Sequence, residues 1–227
     1  MMLIVYLLVN PIEKTIMYAQ KNALTRVVWL VLILLLVVPI ALQVRADHGS
    51  EYHIKASFMY NFIRFVDWPK EKMADSNEPI TIGILGKDPF NRAFEPLKDW
   101  HIKGRKVVVK PFKGFEELKK SGEKGKAELQ RTINTIRKCH MLFICYSEKK
   151  MFTEAINSVK DHPVLTVGDM KGFLETGGII NFVMEEKKVR FEINISAARR
   201  AKFKISSRLL RMAKRVIEDK SPRNTKE

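Results

Sequence analysis

The chain has 227 residues, enough for one sizeable domain with or without a targeting segment. Its 41 lysines and arginines against 25 acids give a formal net charge of +16, which favours anionic partners: lipid headgroups, acidic polymers or an acidic protein face. A nucleic-acid track is not expected, because the basic residues are scattered and do not alternate with a row of aromatics.

Residues 27–42 form an uninterrupted apolar run, preceded by Lys21 and Arg26 and followed by Val44, Arg45 and Ala46. The run is shorter than the roughly 20 residues a spanning helix needs, and Val44 and Ala46 make a permissive cleavage site. Residues 1–46 therefore read as a secretory signal peptide, with an uncleaved anchor as the alternative. A start at Met17 would give that signal an ordinary length. Export follows, and it also argues against nucleic acid. Residues 47–227 are expected to form a single domain that stays strongly basic.

From Tyr52 the sequence places Ile54, Phe58, Met59, Phe62, Ile63 and Val66 at helical spacing until Pro69 ends the helix. Core packing accounts for this face, with Tyr60 and Trp68 available for a partner or ligand. A strand at 80–85 runs into Gly86, Asp88, Pro89 and Phe90, a turn leading to a helix with Phe94 and Leu97. Such a turn lies where open α/β sheets bind ligands, although no glycine-rich phosphate loop is present. A second strand is expected at 106–110, and the charged stretch 111–138 as a mobile loop followed by a helix with Leu129, Ile133 and Ile136 on one side.

A third strand is expected at 141–146, a helix at 148–160 and a fourth strand at 164–167. Cys139 and Cys145, the only cysteines, would lie about 20 Å apart if the run between them is extended, so both are expected as free thiols. Residues 179–184 and 189–195 pair as an antiparallel hairpin across Glu185–Lys188, the second strand alternating Val189, Phe191, Ile193 and Ile195 with polar residues. Ser206 then caps a helix carrying Leu209, Leu210, Ala213, Val216 and Ile217 on one face and Arg208, Arg211, Lys214 and Arg215 on the other.

Taken together, KASFMYNFIRFVDWP, IGILGKDPF, GRKVVV, CHMLFI, PVLTVGDMKGFLETGGIINFV, VRFEINISAARRA and ISSRLLRMA resemble the YfiR-like family of exported bacterial regulatory proteins, across nearly all of 51–217. The resemblance implies a Rossmann-like α/β sandwich with a mixed sheet, a C-terminal β-hairpin and a packing helix. It also implies a homodimer and a periplasmic repressor that holds an inner-membrane diguanylate cyclase inactive by contact with that enzyme's periplasmic domain, in cyclic di-GMP signalling and biofilm control. The alternative is a stand-alone periplasmic module binding a small molecule or anion for a sensor kinase or envelope system. Relatives often carry a cysteine where Gly83 stands, able to pair with the residue at Cys139, and a small residue where Lys202 stands. The first departure puts a redox bridge in doubt. The second costs about 1 kcal/mol if the site needs a left-handed backbone.

No catalytic set, cofactor motif or metal cluster assembles from the sequence. His48, His53, His101, His140 and His162 form no H-E-x-x-H, and Ser206 and Ser207 lack a nucleophile elbow. Asp88 and Asp169 follow strands and read more readily as turn formers than as bases. The candidate ligand cleft is Gly86, Asp88, Pro89, Phe90, His140, Gly177 and Gly178, where the glycine pair serves either a ligand approach or, more readily, a tight turn. The candidate partner surface is Tyr60, Trp68, Arg190, Asn194, Arg208 and Arg211. The expected partners are the periplasmic domain of a membrane signalling protein, a second copy and an anionic membrane surface.

Overall fold

The computed structural model describes residues 49, 51–73, 78–97 and 99–218. The expected signal peptide at 1–46 lies outside them. Among the described residues no helix is long and apolar enough to cross a membrane.

Helix α1 occupies residues 51–65, and its Ala56, Met59, Tyr60, Phe62 and Ile63 are buried at helical spacing. Ile54, expected on that face, is exposed instead. The short strand β1 (Val66–Asp67) follows and pairs antiparallel with β9 (Lys204–Ile205). Next come β2 (Ile80–Leu85), a turn with a single 3-10 segment at Glu95–Leu97 in place of the expected helix, β3 (His101–Ile102) and β4 (Arg105–Phe112).

The stretch expected as a mobile loop contains a helix, α2 (Phe115–Lys120), which buries Phe115 and Leu118; α3 (Gly122–Ile136) follows. The chain continues through β5 (Met141–Ile144), α4 (Phe152–Val159) and β6 (Leu165–Gly168). The hairpin is β7 (Ile180–Glu185) and β8 (Lys188–Asn194), joined by Glu186 and Lys187 with φ of 47° and 61°. Both central residues are left-handed, the geometry whose twist matches a two-residue hairpin. Helix α5 (Ile195–Arg200), β9, helix α6 (Ser207–Met212) and β10 (Arg215–Ile217) complete the chain.

The large sheet has the order β10-β8-β7-β6-β5-β2-β4-β3. Its strands β4, β2, β5, β6 and β7 are mutually parallel, and β8 is antiparallel to β7. Counted by order in the chain, the parallel block reads 2-1-3-4-5, the doubly wound arrangement whose switch point lies between its first and third strands, here β2 and β5. Alternation along the strands divides the core. Ile82, Ile84, Met141, Phe143, Phe182 and Phe191 pack under α1 and the C-terminal segment. Leu85, Leu142 and Ile144 pack with Phe115, Ile136, Ala155, Ile156 and Phe173 on the other face.

One assignment is corrected at the C-terminus. The helix begun at Ser206 stops at Met212, and Val216 and Ile217 belong to β10, parallel to β8. The competing interactions are long-range. The Lys214 N–H donates to the Phe191 carbonyl, and Arg215 grips Glu192 on β8 through Nε–Oε1 at 3.0 Å and Nη2–Oε2 at 2.7 Å. Together with the parallel pairing to β8, this bidentate pair holds 215–217 as a strand.

Candidate functional site

At the carboxyl ends of the parallel strands the switch point is closed by the protein's own side chains. Gly86 has φ of 98°, and the Phe90 N–H donates to Asp88 Oδ1 at 2.7 Å, so Asp88 is a turn former. Phe90 is buried against Tyr52, Phe94 and Phe143, with ring centroids 4.8 to 5.1 Å apart. Beyond β5, Ser147 Oγ accepts from the Lys87 N–H at 2.9 Å, and buried Glu148 accepts the Phe115 N–H at 2.8 Å. The Glu148 carboxylate thus caps the start of α2, where α/β proteins commonly hold an anionic ligand. Burial pushes its pKa up, and the backbone bonds it accepts pull the other way.

Next to the switch point lies a buried ion cluster. Lys55 of α1 is 3% exposed; its Nζ is 2.7 Å from Asp169 Oδ2, just after β6, and 2.6 Å from Glu51. The Tyr52 hydroxyl donates to the same Asp169 oxygen at 3.2 Å, and Lys55 Nζ lies 4.4 Å over the Tyr52 ring. Burial, then the Asp169 charge, drive the Tyr52 pKa well above its usual value, so the hydroxyl is a fixed donor. Among the described residues Asp169 Oδ1 has no hydrogen-bond partner. Asp169, read from sequence as a turn former, is half of a buried pair joining α1 to the sheet.

His140 lies at the opposite end. Strands β2 and β5 are parallel with Ile82 opposite Met141, so the residue before Met141 is level with Thr81, far along the strand from Gly86. The expected cleft combining His140 with Gly86–Phe90 is therefore not formed. Instead His140 Nδ1 accepts the Thr81 N–H at 3.1 Å, its ring stands edge-on to Trp68 at 5.7 Å, and Nε2 faces Arg105 Nη2 at 3.5 Å. Burial, with Lys72 and Arg105 nearby, lowers its pKa to about 4 and keeps the ring neutral. Gly177 and Gly178 occupy a third place. Gly177 has φ of 104°, and a Cβ on Gly178 would run into the Phe173 ring, so the pair serves a tight turn.

The YfiR/HmsC-like family model matches residues 52–214. The chain belongs to this family. No curated protein matches it. Among solved structures it is similar to a conserved domain protein from Vibrio cholerae, at 12% identity over 65% of this chain, with a TM-score of 0.43. It is also similar to the ABC domain in complex with L-Trp from Streptococcus pneumonia, at 15% identity over 60% of this chain, with a TM-score of 0.44. The matches cover 57% and 55% of those two chains.

In this YfiR/HmsC-like domain the residues expected on a partner surface divide into three groups by burial. Tyr60 and Asn194 are buried, at 5% and 2% exposure. The Tyr60 hydroxyl donates to the His101 carbonyl at 2.9 Å, while Asn194 caps α5 by accepting the Ala197 N–H at 2.8 Å and donates to the Leu174 carbonyl. Both are structural, because a buried polar group must find partners. Trp68 is half-buried, its indole N–H donating to the Ile63 carbonyl at 3.1 Å. Arg190, Arg208 and Arg211 are exposed. Arg190 and Lys214 converge on Glu185, beside exposed Met184, and Arg208 stacks over Phe65 at 5.0 Å.

Gly83 faces Cys139, since a Cβ built on it would lie 3.2 Å from Cys139 Sγ. The position that the resemblance matched to a cysteine is thus a neighbour of Cys139, which is a free buried thiol with its pKa raised by burial to about 11. Cys145 is also free and buried. Sequence reasoning passed over Lys55 and carried Arg105 only within the segment GRKVVV. A lone lysine among Ala56, Met59 and Phe62 was the available signal.

Proposed function

We propose that this chain is a periplasmic repressor that holds an inner-membrane diguanylate cyclase inactive through contact with that enzyme's periplasmic domain. The observation that carries the reading is membership of the YfiR/HmsC-like family across residues 52–214, a family whose role is periplasmic regulation in cyclic di-GMP signalling. The site geometry is consistent with it. The switch point is occupied by Phe90, Ser147 and Glu148, and among the described residues no nucleophile, base and orienting group come together there. The contact surface we assign is the C-terminal one, where Arg208, Arg211 and Met212 of α6 are exposed, as are Met184, Arg190 and Lys214 around Glu185. Arginine and methionine together suit an acidic, adaptable partner face.

The test is cellular cyclic di-GMP with and without the gene, restored by an exported copy. Deletion should raise the level, wild-type protein should reverse it, and a copy with Arg208→Glu and Arg211→Glu should not. An unchanged level on deletion would sink the repressor reading. Full restoration by the charge-reversed copy would move the contact to another surface.

A further inference from the structure

We propose that the domain has a binding site for a small oxyanion, a carboxylate or phosphate group, at the amino-terminal ends of its central strands, with Arg105 as its principal ligand. Arg105 opens β4 and is 5% exposed. Its Nε donates to the Glu78 carbonyl at 2.5 Å, Nη1 reaches only the Met73 sulfur at 3.2 Å, and Nη2 meets His140 Nε2 at 3.5 Å. Among the described residues it forms no ion pair. A guanidinium withdrawn from water calls for a counter-charge, and planar carboxylate or phosphate oxygens match its fork of donors.

His140 places a second donor beside the guanidinium. Because Nδ1 accepts the Thr81 N–H, the proton of the neutral ring sits on Nε2 and points at the guanidinium. Two donors then meet at the base of the site; the Lys72 carbonyl serves the His140 ring, and an anionic oxygen would serve the guanidinium.

Beside them is a cavity of about 470 Å³, within the usual range for small-molecule sites, lined by Asp67, Trp68, Lys70, Met73, Lys103 and Arg105. Three of these are cations and one is an acid. Lys103, held in a left-handed conformation with φ of 52°, and Lys70 are exposed at the mouth, and Trp68 and Met73 offer apolar surface to the rest of a ligand. At the carboxyl ends of the strands Glu148 fills the corresponding place. Among the described residues the amino-terminal cavity sets Lys70, Lys103 and Arg105 against Asp67.

The experiment is calorimetric titration of the full chain with two probes, inorganic phosphate and benzoate, alongside Lys103→Glu and Arg105→Met. Saturable binding of either probe is expected. Phosphate alone would identify a phosphate-type ligand, and benzoate alone a carboxylate with an apolar body. Lys103→Glu, at an exposed position that should not affect folding, is expected to weaken binding by about tenfold. Arg105→Met should abolish it. Absence of saturable binding by both probes at millimolar concentration overturns the proposal, as does binding that Lys103→Glu leaves unchanged. Either failure leaves the cyclase reading intact, since that reading is tested by cyclic di-GMP levels in cells.

Discussion

Lys202 occupies a backbone conformation that its side chain disfavours. It has φ of 63° just beyond α5; its N–H donates to the Arg199 carbonyl, and the Phe203 N–H donates to the Ala198 carbonyl, both at 2.9 Å. These are the two bonds of a helix stop that normally places glycine at the left-handed residue. The side chain is exposed and is in neither core cluster. Lys202→Gly should therefore raise the unfolding free energy by about 0.5–1 kcal/mol, the gain being limited by glycine's greater freedom in the unfolded chain. Urea titration would read it as a higher midpoint with an unchanged slope. A lower midpoint would mean that Lys202 makes a favourable contact that outweighs the strain. The resemblance marked this position as a departure in the sequence. The φ itself was not legible, since it depends on where α5 ends.

At the scale of elements, α2 depends on a residue that is distant in the sequence. Its N-cap position is Gly114, which provides no side-chain cap, so the Phe115 N–H is satisfied by Glu148 from the far side of β5. A Cβ on Gly114 would fall inside the Glu148 carboxylate, which explains the glycine. Gly114→Ala should cost about 1–3 kcal/mol by overpacking, and Glu148→Ala a similar amount through the orphaned N–H. The double variant should be clearly more stable than the sum of the two losses predicts, because the clash disappears with the carboxylate. Strict additivity in a double-mutant cycle would show that the two residues do not share this cap. The same dependence explains why the sequence suggested a loop here. FEELKKSGEKGK is dense in charge and glycine, and only Phe115 and Leu118, three apart, signal a buried face. Strand β10 was hidden for the matching reason. Leu209, Leu210, Ala213, Val216 and Ile217 satisfy a helical period, whereas the pairing that makes the last two a strand comes from Glu192 and Phe191 on β8. By contrast β2 and the β7–β8 hairpin could be read almost to the residue, because alternation within one segment specifies them.

Across the whole described fold, α1 spans the sheet from one end of the strands to the other. Near its start Tyr52 packs on Phe90 at the carboxyl ends, and beyond its end Trp68 packs on His140 at the amino ends. Its far end is held by the β1–β9 pairing and by the Trp68 and Phe203 rings, 5.0 Å apart. Its near end depends on Lys55, whose ammonium is the cation facing the buried Asp169 carboxylate. Removing one member of such a pair leaves the other charged, desolvated and held by a single hydroxyl, that of Tyr52. Lys55→Met should therefore cost about 3–5 kcal/mol, more than the pair itself contributes, because the penalty comes from the stranded carboxylate. Replacing both residues, Lys55→Met with Asp169→Leu, should recover most of that loss, since apolar groups of similar volume then fill the same space. Urea unfolding of the two variants decides the point. If the double variant is as unstable as the single one, the near end of α1 is held by packing around Tyr52 and Phe90 rather than by the charge pair.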